Sequence, residues 1–148
     1  MGTVHIRTIL DGEDVEAIIA IERRISGSTY RTTAFEEDAA TYLQQGESHD
    51  HLVAVVDDRV VGFIIGKTAG LEFGQEERVG WINILGVDPD FRGRGIGQAL
   101  GKALLDNFRN KNVAKVKTLV GGQATELLQY FQGLGLKQSN MRVLEITL

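Results

Sequence analysis

Leu85-Gly-Val-Asp-Pro-Asp-Phe-Arg-Gly-Arg-Gly-Ile-Gly-Gln-Ala-Leu100 decides how this chain is read. It opens as the end of an apolar strand, and Pro89 and Asp90 then make a turn. Gly93, Gly95 and Gly97 follow at every second position, just before and within the first turn of a helix. Glycines there leave consecutive backbone N–H groups bare. A helix N-terminus adds four unpaired N–H groups and a partial positive charge. Together these make an anion site suited to phosphate. Arg92 and Arg94 add two guanidinium groups, so the pattern fits a pyrophosphate better than a carboxylate. It is neither of the commonest phosphate motifs. A P-loop needs Gly-x4-Gly-Lys-Ser/Thr, but Ile96 stands at the first glycine and Ala103 follows Gly101-Lys102. A dinucleotide fingerprint has the spacing GxGxxG after a first strand, whereas this chain has GxGxG late in its sequence.

Working outward, Arg78 to Val87 reads as a strand with two apolar faces. Strict alternation puts Val79, Trp81, Leu85 and Val87 on one face and Ile82 and Ile84 on the other, the pattern of a covered central strand. On the other side of the loop, Ile96, Leu100, Leu104 and Phe108 recur every four residues as one face of a helix. Lys115 to Val120 is a further strand. Leu127, Leu128, Phe131 and Leu134 mark a last helix that Gly135 stops, and Arg142 to Leu148 reads as a closing strand. Towards the N-terminus, Val4 to Ile9 is a strand, and Asp14 is expected to cap a helix that runs through Val15, Ile18, Ile19 and Ile21 to Ile25. A polar loop, Ile25 to Thr33, leads to a second helix, Ala34 to Gln45. Leu52 to Val56 and Val60 to Ile65 flank a polar turn as a β-hairpin. The order β α α β β β α β α β gives an α/β (α+β) class with a mixed sheet, in one domain over residues 1–148.

Composition narrows the function. The chain has 148 residues and a formal net charge of −4, so a broad basic surface for nucleic acid is not expected. It contains no cysteine, which excludes disulfides, a thiol nucleophile and thiolate metal sites. No apolar run approaches the ~20 residues of a bilayer span, and no secretory signal is visible, so a cytoplasmic protein without a membrane partner is expected. Met1-Gly2 opens like a myristoylation site, but Ile6 stands where that motif wants Ser or Thr. His49-Asp50-His51 lacks a third histidine nearby, and no metal is expected. A GxSxG elbow is absent, so serine hydrolysis is unsupported.

Arg92-Gly-Arg-Gly-Ile-Gly97 resembles the Arg/Gln-x-x-Gly-x-Gly/Ala pyrophosphate loop of the GNAT N-acetyltransferases. The flanks agree: an apolar strand ending Leu85-Gly-Val87, then Asp88-Pro89 and Phe91, and a late Leu134-Gly135-Leu136 similar to the family's Leu-Gly-Phe. The resemblance runs over nearly the whole chain. It implies a GNAT fold, with a mixed central sheet of about six or seven strands, about four helices, and splayed central strands forming a slot for acetyl-CoA. Backbone groups of Arg92, Gly93, Arg94, Gly95, Ile96 and Gly97 would hold the pyrophosphate. Leu85 and Val87 would pair with the pantetheine arm like an added strand, with Gly86 suited to the bulge that opens the slot. Gln123 and Phe131 would also lie against the cosubstrate. A terminal strand such as Arg142 to Leu148 often pairs across GNAT dimers, so a homodimer is implied as well.

The resemblance implies direct acetyl transfer from acetyl-CoA to a primary amine in a ternary complex. Such chemistry needs a deprotonated amine, a donor for the oxyanion, and preferably an acid for the leaving thiolate. Val87 N–H is the oxyanion candidate. In many members the acid is a tyrosine at the position of Phe131, and phenylalanine cannot donate a proton. Tyr130 is the candidate substitute or, alternatively, a packing residue. In place of the glutamate base of other members, this strand offers Asn83, which can hold a water or the substrate. Trp81 is either an acceptor wall or core. Tyr30 and Arg31 are acceptor-contact candidates on the loop after the first helix. Glu22, Glu36, Glu72, Glu76 and Glu77 border the expected acceptor groove, with a surface role as the default. The acidic Gly70–Glu77 connection could attract a cationic amine or be a solvated hairpin tip. The alternative function is a CoA-binding module with weak catalysis, acting as a sensor.

Overall fold

Period-two patterning in the central strands gives this sheet two apolar faces, and helices cover both. The computed structural model describes residues 2–10, 12–26, 50–70 and 77–148. The elements are β1 (His5–Thr8), α1 (Gly12–Ser26), β2 (His51–Val56), β3 (Arg59–Ala69), β4 (Val79–Val87), α2 (Ile96–Asn110), β5 (Lys115–Lys117) and α3 (Thr125–Gly133). The sheet runs β1-β2-β3-β4-β5; its first four strands pair antiparallel, and β4 and β5 pair parallel. On one face, Ile18 and Ile21 of α1 pack on Val53, Phe63 and Ile65. On the other, Leu100, Leu104 and Phe108 of α2 and Phe131 of α3 pack on Leu52, Ala54, Val56, Val61 and Ile64. Each buried Val, Leu, Ile or Phe side chain among these contributes about 1.5–3 kcal/mol. No described helix is long and apolar enough to cross a membrane.

Local chemistry explains the boundaries. Asp57 and Asp58 both adopt positive φ, 49° and 62°, which gives the hairpin a two-residue turn whose twist matches its strands. Asp14 lies inside the first turn of α1 rather than ahead of it. Its carboxylate accepts from the Leu10 N–H at 2.8 Å and from Arg7 at 2.7 and 3.1 Å. Gly135 stops α3 as expected: at φ 104° it lets its own N–H reach Gln132 O at 3.0 Å and lets the Leu136 N–H reach Phe131 O at 3.0 Å.

Several sequence expectations need correction. β3 runs past Ile65 to Ala69, because bare Gly66 admits the Trp81 carbonyl and the Phe108 ring, each within 3.0 Å of where a Cβ would stand. β5 is three residues rather than six. Residues 142–148 form no ladder; Leu144 and Ile146 are 91% and 82% exposed. Their alternation was strand-like, but no described strand of this chain pairs with them. The described sheet therefore has five strands rather than six or seven, with three described helices. The expected helix Ala34 to Gln45 lies outside the described residues.

Candidate functional site

β4 and β5 part company after three paired residues. Val79, Gly80 and Trp81 pair with Lys115, Val116 and Lys117. Thr118 then donates its hydroxyl to the Ile82 carbonyl at 2.9 Å, which fixes the point of divergence. Beyond it the groove-side edge of β4 is open. Asp88 donates its N–H to Val61 O at 2.8 Å, toward β3. Successive peptide groups along a strand point to opposite edges, so the Val87 and Leu85 N–H groups face the groove.

The bulge in β4 sits at Asn83, not at Gly86. Ile65 pairs with Ile84 and Gly66 with Ile82, which leaves Asn83 as the extra, exposed residue. It also switches the parity of the strand. Leu85 and Val87 join Ile82 against α2 and α3, whereas Ile84 packs on the α1 face. Strict alternation had grouped Leu85 and Val87 with Trp81. Gly86 stays in register with Phe63, and its bareness serves packing: a Cβ would stand 2.7 Å from Ile25 Cδ1 and 2.8 Å from Phe63 Cε1.

The glycine loop has the backbone expected of an anion cradle. Gly93 and Gly95 adopt φ of 77° and 78°, a left-handed conformation that side chains rarely allow. Gly95 caps α2 with no side-chain hydrogen bond, so the first-turn N–H groups keep no capping partner of their own. Arg92 is exposed on the groove. Arg94 instead lies over the Phe91 ring, 5.1 Å from its centroid, and Arg59 lies 5.4 Å from it.

Asp88 fixes the entry to this loop. Its carboxylate, 3% exposed, accepts from Arg24 at 2.5 Å, from Arg59 at 3.0 Å, and from the Asp90 N–H at 2.9 Å as the cap of the 3₁₀ turn Pro89–Phe91. Arg24 also pairs with Asp90 at 3.1 Å; these carboxylates raise its pKa, with the Asp90 hydrogen bond leading. One side chain thus joins α1, the start of β3 and the strand-to-helix turn. From the sequence alone Asp88 is only a flank of the glycine loop. The signal was present, because Asp before Pro is a turn-capping pattern.

α3 closes the far side. The groove holds about 930 Å³ and is lined by β4 from Ile82 to Val87, by Arg92, Gly93, Gly95, Ile96 and Gly97, and by Thr118, Gln123, Tyr130 and Phe131. The Tyr130 hydroxyl donates to Gly97 O at 2.6 Å, and burial pushes its pKa up to about 12. Phe131 is buried and meets the Tyr130 ring edge-on, with centroids 5.1 Å apart.

Of the expected site residues, Asn83, Leu85, Gly86, Val87, Arg92, Gly93, Gly95, Ile96, Gly97, Gln123, Tyr130 and Phe131 come together in this groove. Arg94 and Trp81 are not in its lining. Tyr30, Arg31, Glu36, Glu72 and Glu76 lie outside the described residues. Glu77 is half-exposed beside Lys115 at 3.4 Å. Glu22 departs from the surface default, being fully buried in α1. Asp50 is also fully buried and serves structure: it accepts from Lys111 at 2.9 Å and from the Thr68 N–H and hydroxyl at 3.0 Å. Among the described residues, no group of three His, Asp or Glu is placed to hold a metal ion.

Comparison with known proteins agrees with this geometry. Residues 15–136 match the Acetyltransferase (GNAT) family. A mycothiol acetyltransferase of Saccharomonospora viridis is 30% identical over 141 residues, covering 90% of this chain and 46% of that protein. The chain thus spans about half the length of the mycothiol acetyltransferases it matches. A ribosomal protein bS18-alanine N-acetyltransferase of Salmonella typhimurium is 26% identical over 91% of this chain and 82% of its own length. Among solved structures, the aminoglycoside N-acetyltransferase AAC(6')-Iy in complex with CoA superposes with a TM-score of 0.78 at 18% identity, over 99% of this chain and 96% of that one.

Proposed function

Because the chain belongs to the GNAT acetyltransferase family, we propose that its groove binds acetyl-CoA and transfers the acetyl group directly to a primary amine. The observation that carries this reading is the open edge of β4, where Leu85 and Val87 lead straight into the glycine cradle. An extended pantetheine arm would pair with that edge as a strand does. The pyrophosphate would sit on the N–H groups from Arg92 to Gly97, with Arg92 beside it.

In the transfer, the amine nitrogen bonds to the thioester carbonyl carbon, the C–S bond breaks, and the amine gives up a proton. The Val87 N–H is the donor for the oxyanion. Asn83, exposed at the bulge, would hold the amine or a water that takes its proton. No hydroxyl is present at position 131, so the sulfur leaves as thiolate or takes its proton from water.

Phe131 favours a second reading, a CoA-binding module with weak catalysis. Thiol release from acetyl-CoA against pooled small amines, amino acids and peptide N-termini separates the two. Release supports the enzyme; tight CoA binding with no release from any pool supports the module.

The reading includes a homodimer. Residues 142–148 present Val143, Leu144 and Ile146 to solvent, and a second groove of about 580 Å³ opens between β5 and residues 134–141. A strand from a second copy fits there against Val116 and Leu136. Ile146→Glu is expected to turn a dimer into a monomer in light scattering; a wild-type monomer refutes this part.

A further inference from the structure

We infer that Tyr130 is a positioning residue, whose hydroxyl holds the Gly97 carbonyl and thereby sets the first turn of α2 for phosphate. The inference rests on the groove being the CoA site. It goes beyond that reading by giving this side chain a role in binding rather than in proton transfer.

Two glycines on α2 receive the Tyr130 side chain. Gly97 and Gly101 stand one turn apart on α2, facing α3. A Cβ on Gly97 would lie 3.3 Å from Tyr130 Cε1, and one on Gly101 would lie 2.6 Å from both the Tyr130 hydroxyl and Leu134 Cδ1. Gly97 therefore does more than bare its N–H. With Gly101 it forms a slot that accepts the edge of α3. The Tyr130 ring fills the slot, and its hydroxyl meets Gly97 O at 2.6 Å, a short and strong contact. The same glycine presents its N–H at the open end of α2. Fixing its carbonyl restrains the peptide planes that carry the cradle donors.

The geometry separates Tyr130 from Phe131. Neighbours on a helix diverge by about 100°. Phe131 is buried in the main core cluster, while Tyr130 turns its hydroxyl onto α2. A phenol pushed up to about 12 is also poorly matched to a leaving thiolate, whose ordinary pKa is about 8.5. General acids work best near the operating pH. The same burial keeps the phenol protonated, hence a steady hydrogen-bond donor, throughout the neutral range.

Tyr130→Phe removes only the oxygen, and a melting measurement checks that the variant folds. Calorimetric titration with CoA is expected to show weakened affinity, by up to about fivefold, the ceiling set by one neutral hydrogen bond. Pantetheine, which has the arm but no pyrophosphate, is expected to bind both proteins equally. Thiol release at saturating acetyl-CoA, to the best amine or otherwise to water, should stay within about twofold of wild type with an unshifted pH profile. Unchanged CoA affinity overturns the inference. So does release that falls more than tenfold at unchanged affinity, because that is the signature of an acid. Failure of the wild-type chain to bind CoA overturns the reading of the groove itself, and is distinguishable because it appears before any substitution.

Discussion

Asp88→Ala removes three hydrogen bonds from one buried carboxylate, and the structure lets each be weighed. Truncating one partner of a fully buried ion pair costs about 3–5 kcal/mol. That ceiling does not apply, because the Arg24 and Arg59 side chains are 42% and 58% exposed and water takes over their charge. Each guanidinium contact is then worth about 0.5–1 kcal/mol. The Asp90 N–H loses its cap, at about 1 kcal/mol. The total is about 2–3 kcal/mol, or a melting point lowered by about 5–10 °C for a chain of this size. Asp88→Asn keeps an oxygen for the cap and should lose only about half as much. Urea unfolding of both variants, and of each combined with Arg24→Gln, measures these terms. The loss on Arg24→Gln should be smaller in the Asp88→Ala background, where only the pair with Asp90 remains. A loss below about 0.5 kcal/mol, or equal losses for Ala and Asn, would refute the assignment of Asp88 as the joint between α1, β3 and the loop.

Two further predictions follow from the groove and the core. Phe131→Tyr puts a phenol at the buried groove position and should raise the rate of thiol release roughly a hundredfold, the lower end for a positioned acid; an unchanged or lower rate means that position 131 does not reach the leaving sulfur. His51 is buried, with its Nε2 lacking a hydrogen-bond partner among the described residues, and burial lowers its pKa from 6.5. Nearby Asp50 opposes that shift and Lys111 adds to it. The native state therefore keeps the ring neutral while the unfolded chain binds a proton. Stability should be full above about pH 6.5 and fall as the pH drops below it, by at most about 1.4 kcal/mol per pH unit. Unfolding titrations from pH 8 to 5 should show this limb in wild type and lose it in His51→Phe; an identical slope in both contradicts the assignment.

Much of the architecture was legible because its causes are local. The glycine loop before α2, the stop at Gly135 and the Asp57-Asp58 turn each depend on a few adjacent residues. The two-faced apolar pattern of β4 announced a central strand. What escaped the sequence depends on register and on distant partners. The bulge at Asn83 exists only against β3, and it reassigns Leu85 and Val87 to the other face. Arg24 meets Asp88 across 64 residues. The shortness of β5 follows from one Thr118 hydroxyl reaching Ile82. Arg142 to Leu148 carries strand alternation, but alternation says nothing about which edge a strand joins.

The proposed function stands on the Arg92–Gly97 cradle and the open edge of β4 holding acetyl-CoA. The most direct measurement is calorimetric titration of the wild-type chain and of Arg92→Ala with CoA and acetyl-CoA, repeated at two salt concentrations. One site per chain is expected, weakened by the substitution and less salt-dependent without the guanidinium. No binding by the wild-type chain, or equal binding by Arg92→Ala at both salt concentrations, would contradict it.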